Sequence, residues 1–202
     1  MEINARTAPH PGGAELTLRL LALGNLAPGM RVLDAGCGCG DTTALLLRLG
    51  YDAYGVDQNG GDAPGVLRLD ATRLPEADGS FDAVLLECCL SVADFPAEIV
   101  AECARVLRPG GFLLCSDLYA RGTALVLPAA VRLERQQTVI ARASACGLRV
   151  TDFEDHSDAL RAYIGQAILD GLPQKLCFPG VGRQALRAAK AGYYLMAARR
   201  PA

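Results

Sequence analysis

The residues with the clearest chemical potential in this sequence are Asp34 and the three alternating glycines that follow it, Gly36, Gly38 and Gly40. A short apolar run ends in Asp34 and an amphipathic stretch begins at Asp41, so the pattern predicts a buried strand, a tight turn and a helix. Because alternate residues of the turn lack a Cβ, a ligand can lie directly against the backbone. Small ligands bind at such turns, beyond the carboxyl ends of parallel strands.

Two carboxylates limit the kind of ligand that this turn can bind. The dinucleotide fingerprint needs glycine at its sixth position, and that position, counted from Gly36, is Asp41, whose charge would repel a pyrophosphate. A phosphate loop of the Walker type would end in Gly-Lys-Ser or Gly-Lys-Thr, and this turn does not. Asp34 suits a cationic ligand better than a polyphosphate. The turn therefore disfavours a nicotinamide or flavin dinucleotide.

Acidic residues also end the next predicted strands. Asp57 ends the second strand, Asp70 and Ala71 follow the third, and Glu87 ends the fourth. A carboxylate at the end of the second strand can accept hydrogen bonds from both hydroxyls of a ribose. These strand ends extend the expected ligand site beyond the glycine turn.

Taken together, these segments resemble the motifs of the class I S-adenosylmethionine-dependent methyltransferases. The resemblance covers residues 28–117 well and the rest only in layout, and its five segments are 34–40, 55–57, 69–75, 80–84 and 106–111. It implies S-adenosylmethionine as the cofactor, a ligand with an ammonium, a sulfonium and no phosphate. It also implies methyl transfer by direct displacement at the sulfonium methyl.

The resemblance assigns cofactor-binding residues by the part of the cofactor that they would meet. The methionine end would be lined by Asp34, Gly36, Cys37, Gly38 and Gly40. The ribose and adenine would meet Asp57, Gln58, Asp70 and Ala71. Glu87 and Cys88 would lie near the methionine moiety or the transferred methyl group.

Four further residues are candidates for the acceptor side of the site. Asp117 and Tyr119 could supply a base and an orienting hydroxyl, or could merely cap a loop. His10 could close over the cofactor, or could be a solvated loop histidine. Cys89, next to Cys88, could bind a soft acceptor such as arsenite, although vicinal thiols are often structural. We expect no metal site, because no cysteine pair has the Cys-x-x-Cys spacing.

Composition limits the class of protein and its partners. The chain of 202 residues is 51% hydrophobic and 21% charged, with a net charge of -2, which indicates no general attraction to nucleic acid. No uninterrupted apolar stretch reaches the roughly 18 residues of a membrane span, and residues 1–15 contain no apolar core of a signal peptide. We therefore expect a cytoplasmic protein without membrane or nucleic-acid partners. Its eight cysteines would then be mostly small buried thiols rather than disulfides.

Strand and helix patterns alternate along the chain and predict an α/β fold. By the resemblance, this is a three-layer Rossmann-like fold with a seven-stranded, mostly parallel sheet whose last strand is antiparallel. The predicted strands are 31–34, 52–56, 66–69, 81–87, 112–116, 147–153 and 193–199. The predicted helices are 14–26, 42–49, 95–107, 128–146, 157–169 and 183–191. Residues 1–202 are expected to form one domain, with an N-terminal helical cap at 1–30 and acceptor-pocket elements within 118–182.

The acceptor itself is not identified by these patterns. A small molecule is expected, because only about 30 residues precede the first strand and no recognition domain or basic face is evident. Two functional alternatives are a non-catalytic S-adenosylmethionine-binding protein and a nicotinamide-dependent oxidoreductase. The oligomeric state is open, with a homodimer as one alternative.

Overall fold

A computed structural model describes residues 10–60, 64–127, 131–171 and 183–202 of the chain. The helices are α1 (Gly13–Leu23), α2 (Asp41–Arg48), α3 (Pro96–Val106), α4 (Gln136–Ala145), α5 (Ser157–Leu169) and α6 (Arg183–Ala189). The strands are β1 (Arg31–Ala35), β2 (Asp52–Asp57), β3 (Val66–Arg68), β4 (Phe81–Glu87), β5 (Leu107–Ala120), β6 (Leu125–Leu127), β7 (Val131–Leu133), β8 (Arg149–Asp155) and β9 (Ala191–Arg199). Within these ranges, no helix is long and apolar enough to cross a membrane.

Seven of the strands form one sheet in the order β3-β2-β1-β4-β5-β9-β8. The first five strands of that order run parallel, whereas β9 is antiparallel to both β5 and β8. This arrangement confirms the predicted mostly parallel sheet with a reversed last strand. Strands β2 and β3 lie on one side of β1, whereas β4 and β5 lie on the other side. The strand order therefore reverses at β1, and ligands bind at such switch points in open α/β sheets.

Helices cover both faces of the sheet and bury two separate cores. Helices α1, α2 and α5 pack on one face, where Leu20, Leu46 and Leu160 are fully or almost fully buried. Helices α3 and α4 pack on the other face. The sheet therefore forms the middle of three layers, and its central parallel strands β1 and β4 are buried on both sides, as a parallel sheet requires.

The chain differs from the prediction between residues 128 and 146. A single helix was expected there, but Val131–Leu133 is a strand that pairs with Leu125–Leu127 in a two-stranded hairpin, and the helix begins only at Gln136. The reason is the alternation of buried Val131 and Leu133 with the less buried Arg132, a period of two. The Arg132 N–H donates to the carbonyl oxygen of Ser91 at 2.7 Å, so the hairpin is fixed beside the loop that follows β4.

Two other expectations near the acceptor side can be placed only in part. Strand β5 is longer than predicted, since it begins at Leu107 and runs to Ala120. It therefore includes the first residues of the range 118–182, within which acceptor-pocket elements were expected. Residues 128–130 and 172–182 of that range lie outside the described residues, as do residues 1–9.

Candidate functional site

The glycine turn between β1 and α2 is pinned to the end of β2. The N–H groups of Gly36 and Cys37 both donate to the carbonyl oxygen of Val56, at 2.8 and 3.1 Å. Gly36 and Gly38 have positive φ angles of 76° and 55°, which favour glycine. A Cβ on Gly36 would lie 2.7 Å from the Cys89 Sγ atom, whereas a Cβ on Gly38 would meet nothing within 4 Å. The turn is therefore closed on the side of Gly36 and open at Gly38, where a ligand can approach the backbone.

Asp34 lies beneath this turn and is almost completely buried. The Thr43 hydroxyl, in the first turn of α2, donates to its Oδ2 atom at 2.7 Å. Burial, together with the smaller effect of the negative charges of Glu87 and Asp57, raises the pKa of Asp34 to about 7, although the Thr43 hydrogen bond acts in the opposite direction. A cation at this position would offset the cost of the buried charge.

Asp57 connects the end of β2 to the glycine turn. Its Oδ2 atom accepts a hydrogen bond from the Gly38 N–H at 2.9 Å, and its Oδ1 atom accepts one from the Asn59 N–H at 2.8 Å. Each carboxylate oxygen has a second lone pair, so the group retains the capacity to accept from the two hydroxyls of a ribose. The structure thus places Asp57 and Gly38 at one edge of the sheet.

Gln58, Asp70 and Ala71 lie beside Asp57, after β2 and β3. Asp70 and Gln58 are exposed and Ala71 is buried. The Thr72 N–H donates to Asp70 Oδ1 at 2.8 Å, and this bond, together with a hydrogen bond from the Gln58 side chain, lowers the pKa of Asp70. Asp70 is therefore ionised at neutral pH and faces solvent, where it can accept from an amino group.

Glu87, the last residue of β4, is the centre of a hydroxyl cluster. Its carboxylate accepts from Thr17 at 3.0 Å, from Thr42 at 2.8 Å and from Ser116 at 3.4 Å. These donors come from α1, α2 and β5, so one carboxylate joins three elements at the carboxyl edge of the sheet. The Glu87 side chain is only 5% exposed. Among the described residues, the basic side chain beside it is His10, whose Nε2 atom is 3.7 Å from Glu87 Oε2.

The cluster continues from Ser116 to Tyr193 and Cys88. The Tyr193 hydroxyl donates to Ser116 Oγ at 3.0 Å and lies 3.3 Å from Cys88 Sγ. Cys88 has a positive φ of 52°, which is strained for a residue with a side chain. Strain of this kind is concentrated at functional sites. Cys88 thus turns the chain sharply at the end of β4.

Sequence reasoning missed Thr17, Thr42, Ser116 and Tyr193. Thr42 follows the glycine turn directly, and its position at the start of α2 was the one available signal. Tyr193 is the first residue of the predicted strand 193–199, and its ring is fully buried. Its hydroxyl nevertheless reaches the site across β5, because Leu118↔Tyr193 is a register pair of β5 and β9.

Asp117 and Tyr119 are not brought together with the Glu87 cluster. The two Asp117 oxygens accept from the N–H groups of Ser91 and Leu118, at 2.8 and 2.7 Å. The Tyr119 ring packs edge-on against Phe153, with the ring centroids 5.6 Å apart. Since side chains alternate along β5, Ser116 faces Glu87 while its neighbour Asp117 points to the opposite face.

The thiols near the glycine turn are protonated at neutral pH. Burial raises the pKa of Cys37 and of Cys89 to about 12 each. Cys39 is exposed and donates to the Asp41 carboxylate at 3.3 Å. No group of three or more metal-ligating side chains occurs among the residues that the structure describes. The thiols therefore act as neutral side chains that shape the turn.

The charges at this edge of the sheet are unbalanced. Asp34, Asp57 and Glu87 surround the turn, and in the described ranges none of the three has an arginine or lysine within ion-pair distance. Polyphosphate ligands need the opposite charge. An open glycine turn among carboxylates can hold a small cationic ligand, with Asp57 free to accept from its hydroxyls.

Comparison with known proteins agrees with this geometry. Residues 33–115 match the family described as a methyltransferase domain. Over 94% of its length the chain is 29% identical to Methyltransferase GfsG of Streptomyces halstedii, of which the match covers 81%. The chain spans about half the length of other curated relatives that it matches. One of them is the ubiquinone biosynthesis O-methyltransferase of Nitrosococcus oceani, with 39% identity over 45% of this chain and 44% of the relative.

Solved structures share the fold at low sequence identity. The [4+2]-cyclase SpnF superposes with a TM-score of 0.77 and 23% identity, over 99% of this chain and 85% of that one. A phosphoethanolamine N-methyltransferase of Haemonchus contortus, solved with S-adenosyl-L-methionine, superposes with a TM-score of 0.72 and 19% identity, over 96% of this chain and 54% of that one. These two matches establish the architecture.

Proposed function

Because the chain is a class I S-adenosylmethionine-dependent methyltransferase, we propose that it transfers the methyl group of that cofactor to a small-molecule acceptor by direct displacement. The observation that carries the proposal is the open glycine turn bordered by Asp34, Asp57 and Glu87, without a lysine or arginine partner in the described ranges. A ligand with an ammonium, a sulfonium and a ribose, and without phosphate, matches that set of groups.

Different residues along this edge of the sheet would hold different parts of the cofactor. Asp34 would act from beneath the turn on the ammonium, and Gly38 would leave room for the methionine end. Asp57 would accept from the ribose hydroxyls. Gln58, Asp70 and Ala71 would border the adenine, and Glu87 with Cys88 would border the methionine end from the side of β4.

The bound cofactor supplies an electrophilic methyl group on a positively charged sulfur. The chain then has to align an acceptor with that methyl group and exclude water. The acceptor's lone pair forms the new bond to carbon as the carbon–sulfur bond breaks, and the sulfur keeps the bonding electrons. The Asp34 and Glu87 carboxylates would keep the surroundings of a bound sulfonium negative, and this would favour binding of the cofactor.

The walls available for an acceptor are the turn at residues 10–13, the loop that follows β4 and the hairpin of β6 and β7. His10 and Cys89 lie on the first two of these walls. Asp117 and Tyr119 lie behind the third, so any part that they play in the acceptor pocket would be indirect. The free thiols of the seven described cysteines are consistent with a reducing compartment such as the cytoplasm.

The proposal is tested with methyl-labelled S-adenosylmethionine, the purified chain and a metabolite extract fractionated by size. Transfer of label to a compound in the small-molecule fraction, and slower transfer by the Asp57→Asn variant at sub-saturating cofactor, is the expected result. Label only in protein or nucleic acid would contradict the small-molecule acceptor. Tight cofactor binding with no transfer to any fraction would instead favour a cofactor-binding protein without transfer activity.

A further inference from the structure

The chain contains two histidines, and both lie beside a glutamate. His156 Nε2 is 2.9 Å from Glu154 Oε2, with side chains 27% and 29% exposed. His10 Nε2 is 3.7 Å from Glu87 Oε2, with side chains 7% and 5% exposed. The first pair lies near the surface after β8. The second is buried at the carboxyl end of β4, beside the proposed cofactor site.

His10 reaches Glu87 from a tight turn that precedes α1. The Gly13 N–H donates to the His10 carbonyl oxygen at 3.1 Å, and Gly12 and Gly13 both have positive φ angles, of 73° and 48°. Helix α1 itself is fixed, because Leu16 and Leu20 are buried in the core. Pro11 and Gly12 thus separate His10 from the fixed helix, and the positive φ angles of Gly12 and of Gly13, the first helical residue, form a joint that glycine adopts readily.

Both ring nitrogens of His10 face oxygen atoms. Nε2 faces the Glu87 carboxylate, and Nδ1 is 3.2 Å from the Pro11 carbonyl oxygen. The His10 ring therefore lies between the Glu87 carboxylate and the Pro11 carbonyl group.

The same carboxylate is joined to the glycine turn and to α1. Thr42, two residues after Gly40, donates to the oxygen that faces His10, and Thr17 of α1 donates to both oxygens. His10 is thus connected through one group to the start of α2, at the end of the site assigned to the methionine moiety. The turn at residues 10–13 lies across that edge of the sheet.

We propose that His10 is a positioning residue, which holds the turn at residues 10–13 against Glu87 and thereby retains the bound cofactor. The inference rests on the proposed function, since it assumes that the cofactor binds beside Glu87. The Gly12–Gly13 joint lets the turn move aside when the cofactor enters or its product leaves. His10 does not touch the transferred methyl group in this account.

The test is the rate at which S-adenosylhomocysteine dissociates from the full chain, measured by stopped-flow competition, together with kcat and KM for the cofactor. His10→Ala is expected to raise the dissociation rate and the KM about tenfold, because the contact that holds the turn at residues 10–13 against Glu87 is lost, with kcat changed less than about twofold. His10→Gln retains an N–H donor, so its dissociation rate and KM are expected to lie between those of the wild type and of His10→Ala. The matched control is His156→Ala, which removes the other histidine of a histidine–glutamate pair and should leave all three quantities unchanged.

A double-mutant cycle makes the test independent of any loss of folding in one variant. The effects of His10→Ala and Glu87→Gln on cofactor affinity should be strongly non-additive, because each change breaks the same contact. Additive effects, or a His10→Ala variant that releases the product at the wild-type rate, would overturn the inference. A wild-type chain that binds neither S-adenosylmethionine nor S-adenosylhomocysteine would overturn the proposed function instead.

Discussion

The Glu134 carboxylate and the carboxylates around the glycine turn lie at the same edge of the sheet, but they have different kinds of partner. Beside the hairpin, Glu134 forms ion pairs with Arg142 and, at 3.7 Å, with Arg132. Around the glycine turn, Asp34 and Glu87 are more deeply buried than Glu134, but in the described ranges they receive hydroxyl hydrogen bonds and no arginine.

The difference indicates which group is structural and which awaits a ligand. A buried charge that is already paired ties elements together, and here it ties the hairpin to α4. Buried carboxylates that have only neutral donors cost free energy until a cation arrives. Removing a charge should therefore have opposite effects on stability in the two regions, and the following predictions test that contrast.

The largest loss of stability is expected when the ion pair between Arg142 and Glu134 is broken. Arg142→Met should lower the free energy of unfolding by about 3 kcal/mol, because it leaves the Glu134 carboxylate partly buried with a weaker partner. Denaturant unfolding measures this change, and cofactor affinity in the folded fraction should stay within about twofold of wild type. Arg19→Met is the control, since it breaks the more exposed Arg19–Glu154 pair and should cost less than about 1 kcal/mol.

The second prediction concerns the pH dependence contributed by Asp34 in the ligand-free chain. Its folded-state pKa of about 7 is higher than its ordinary value of 3.8, so the folded chain holds a proton that the unfolded chain has released. Its contribution to stability is therefore full below about pH 4 and is lost as the pH rises through 7. Asp34→Asn cannot lose that proton, and its stability relative to wild type should rise by about 4 kcal/mol between pH 4 and pH 8.

Thermal or denaturant unfolding of the wild type and of Asp34→Asn between pH 4 and pH 8 measures the gain in stability of the variant relative to wild type. The same variant should bind the cofactor more weakly than wild type, because the buried negative charge is gone. Equal stability of the two chains at every pH would contradict the view that Asp34 is a carboxylate awaiting a cation.

A smaller effect is expected at Asp57, which is only half-buried. Asp57→Asn should weaken cofactor binding about tenfold, roughly 1.4 kcal/mol, because the amide offers a single acceptor oxygen to the Gly38 N–H and the ribose hydroxyls. Calorimetric titration measures the affinity. Asp52→Asn, at the opposite and exposed end of the same strand, is the control and should bind as wild type does. Weakening of the same size in both variants would show that Asp57 has no specific part in binding.

The smallest effect is expected at the thiols. Because the Cys37 thiol is protonated at neutral pH, Cys37→Ser should retain the geometry of the turn and change cofactor affinity by less than about threefold. Iodoacetamide should label Cys39, which is exposed, in preference to Cys37 or Cys89. Rapid labelling of Cys89, with loss of activity that the cofactor prevents, would instead indicate a reactive thiol in the site.

Residues 31 to 117 could be predicted almost completely, because their constraints are local. A glycine turn between an apolar strand and a helix has few alternative structures, and each acidic residue stands at the end of a strand. The strand ends of a parallel sheet must meet at one edge, so Asp34, Asp57 and Glu87 were expected near one another.

The hairpin and the hydroxyl cluster could not be predicted in this way, because they depend on contacts between distant parts of the chain. Residues 131–133 are too short for a period of two to outweigh the helical pattern that follows. Ser116 and Tyr193 meet only through the pairing of β5 with β9, 77 residues apart in sequence. Thr17 reaches Glu87 because α1 packs across the end of the sheet, and no local pattern contains that information.

Calorimetric titration of the purified chain with S-adenosylmethionine and, separately, with NADH tests the central claim most directly. An acidic site without a lysine or arginine partner should bind S-adenosylmethionine with a micromolar or tighter dissociation constant, show no saturable binding of NADH, and lose affinity in Asp57→Asn. Tight binding of NADH, with none of S-adenosylmethionine, would contradict the account.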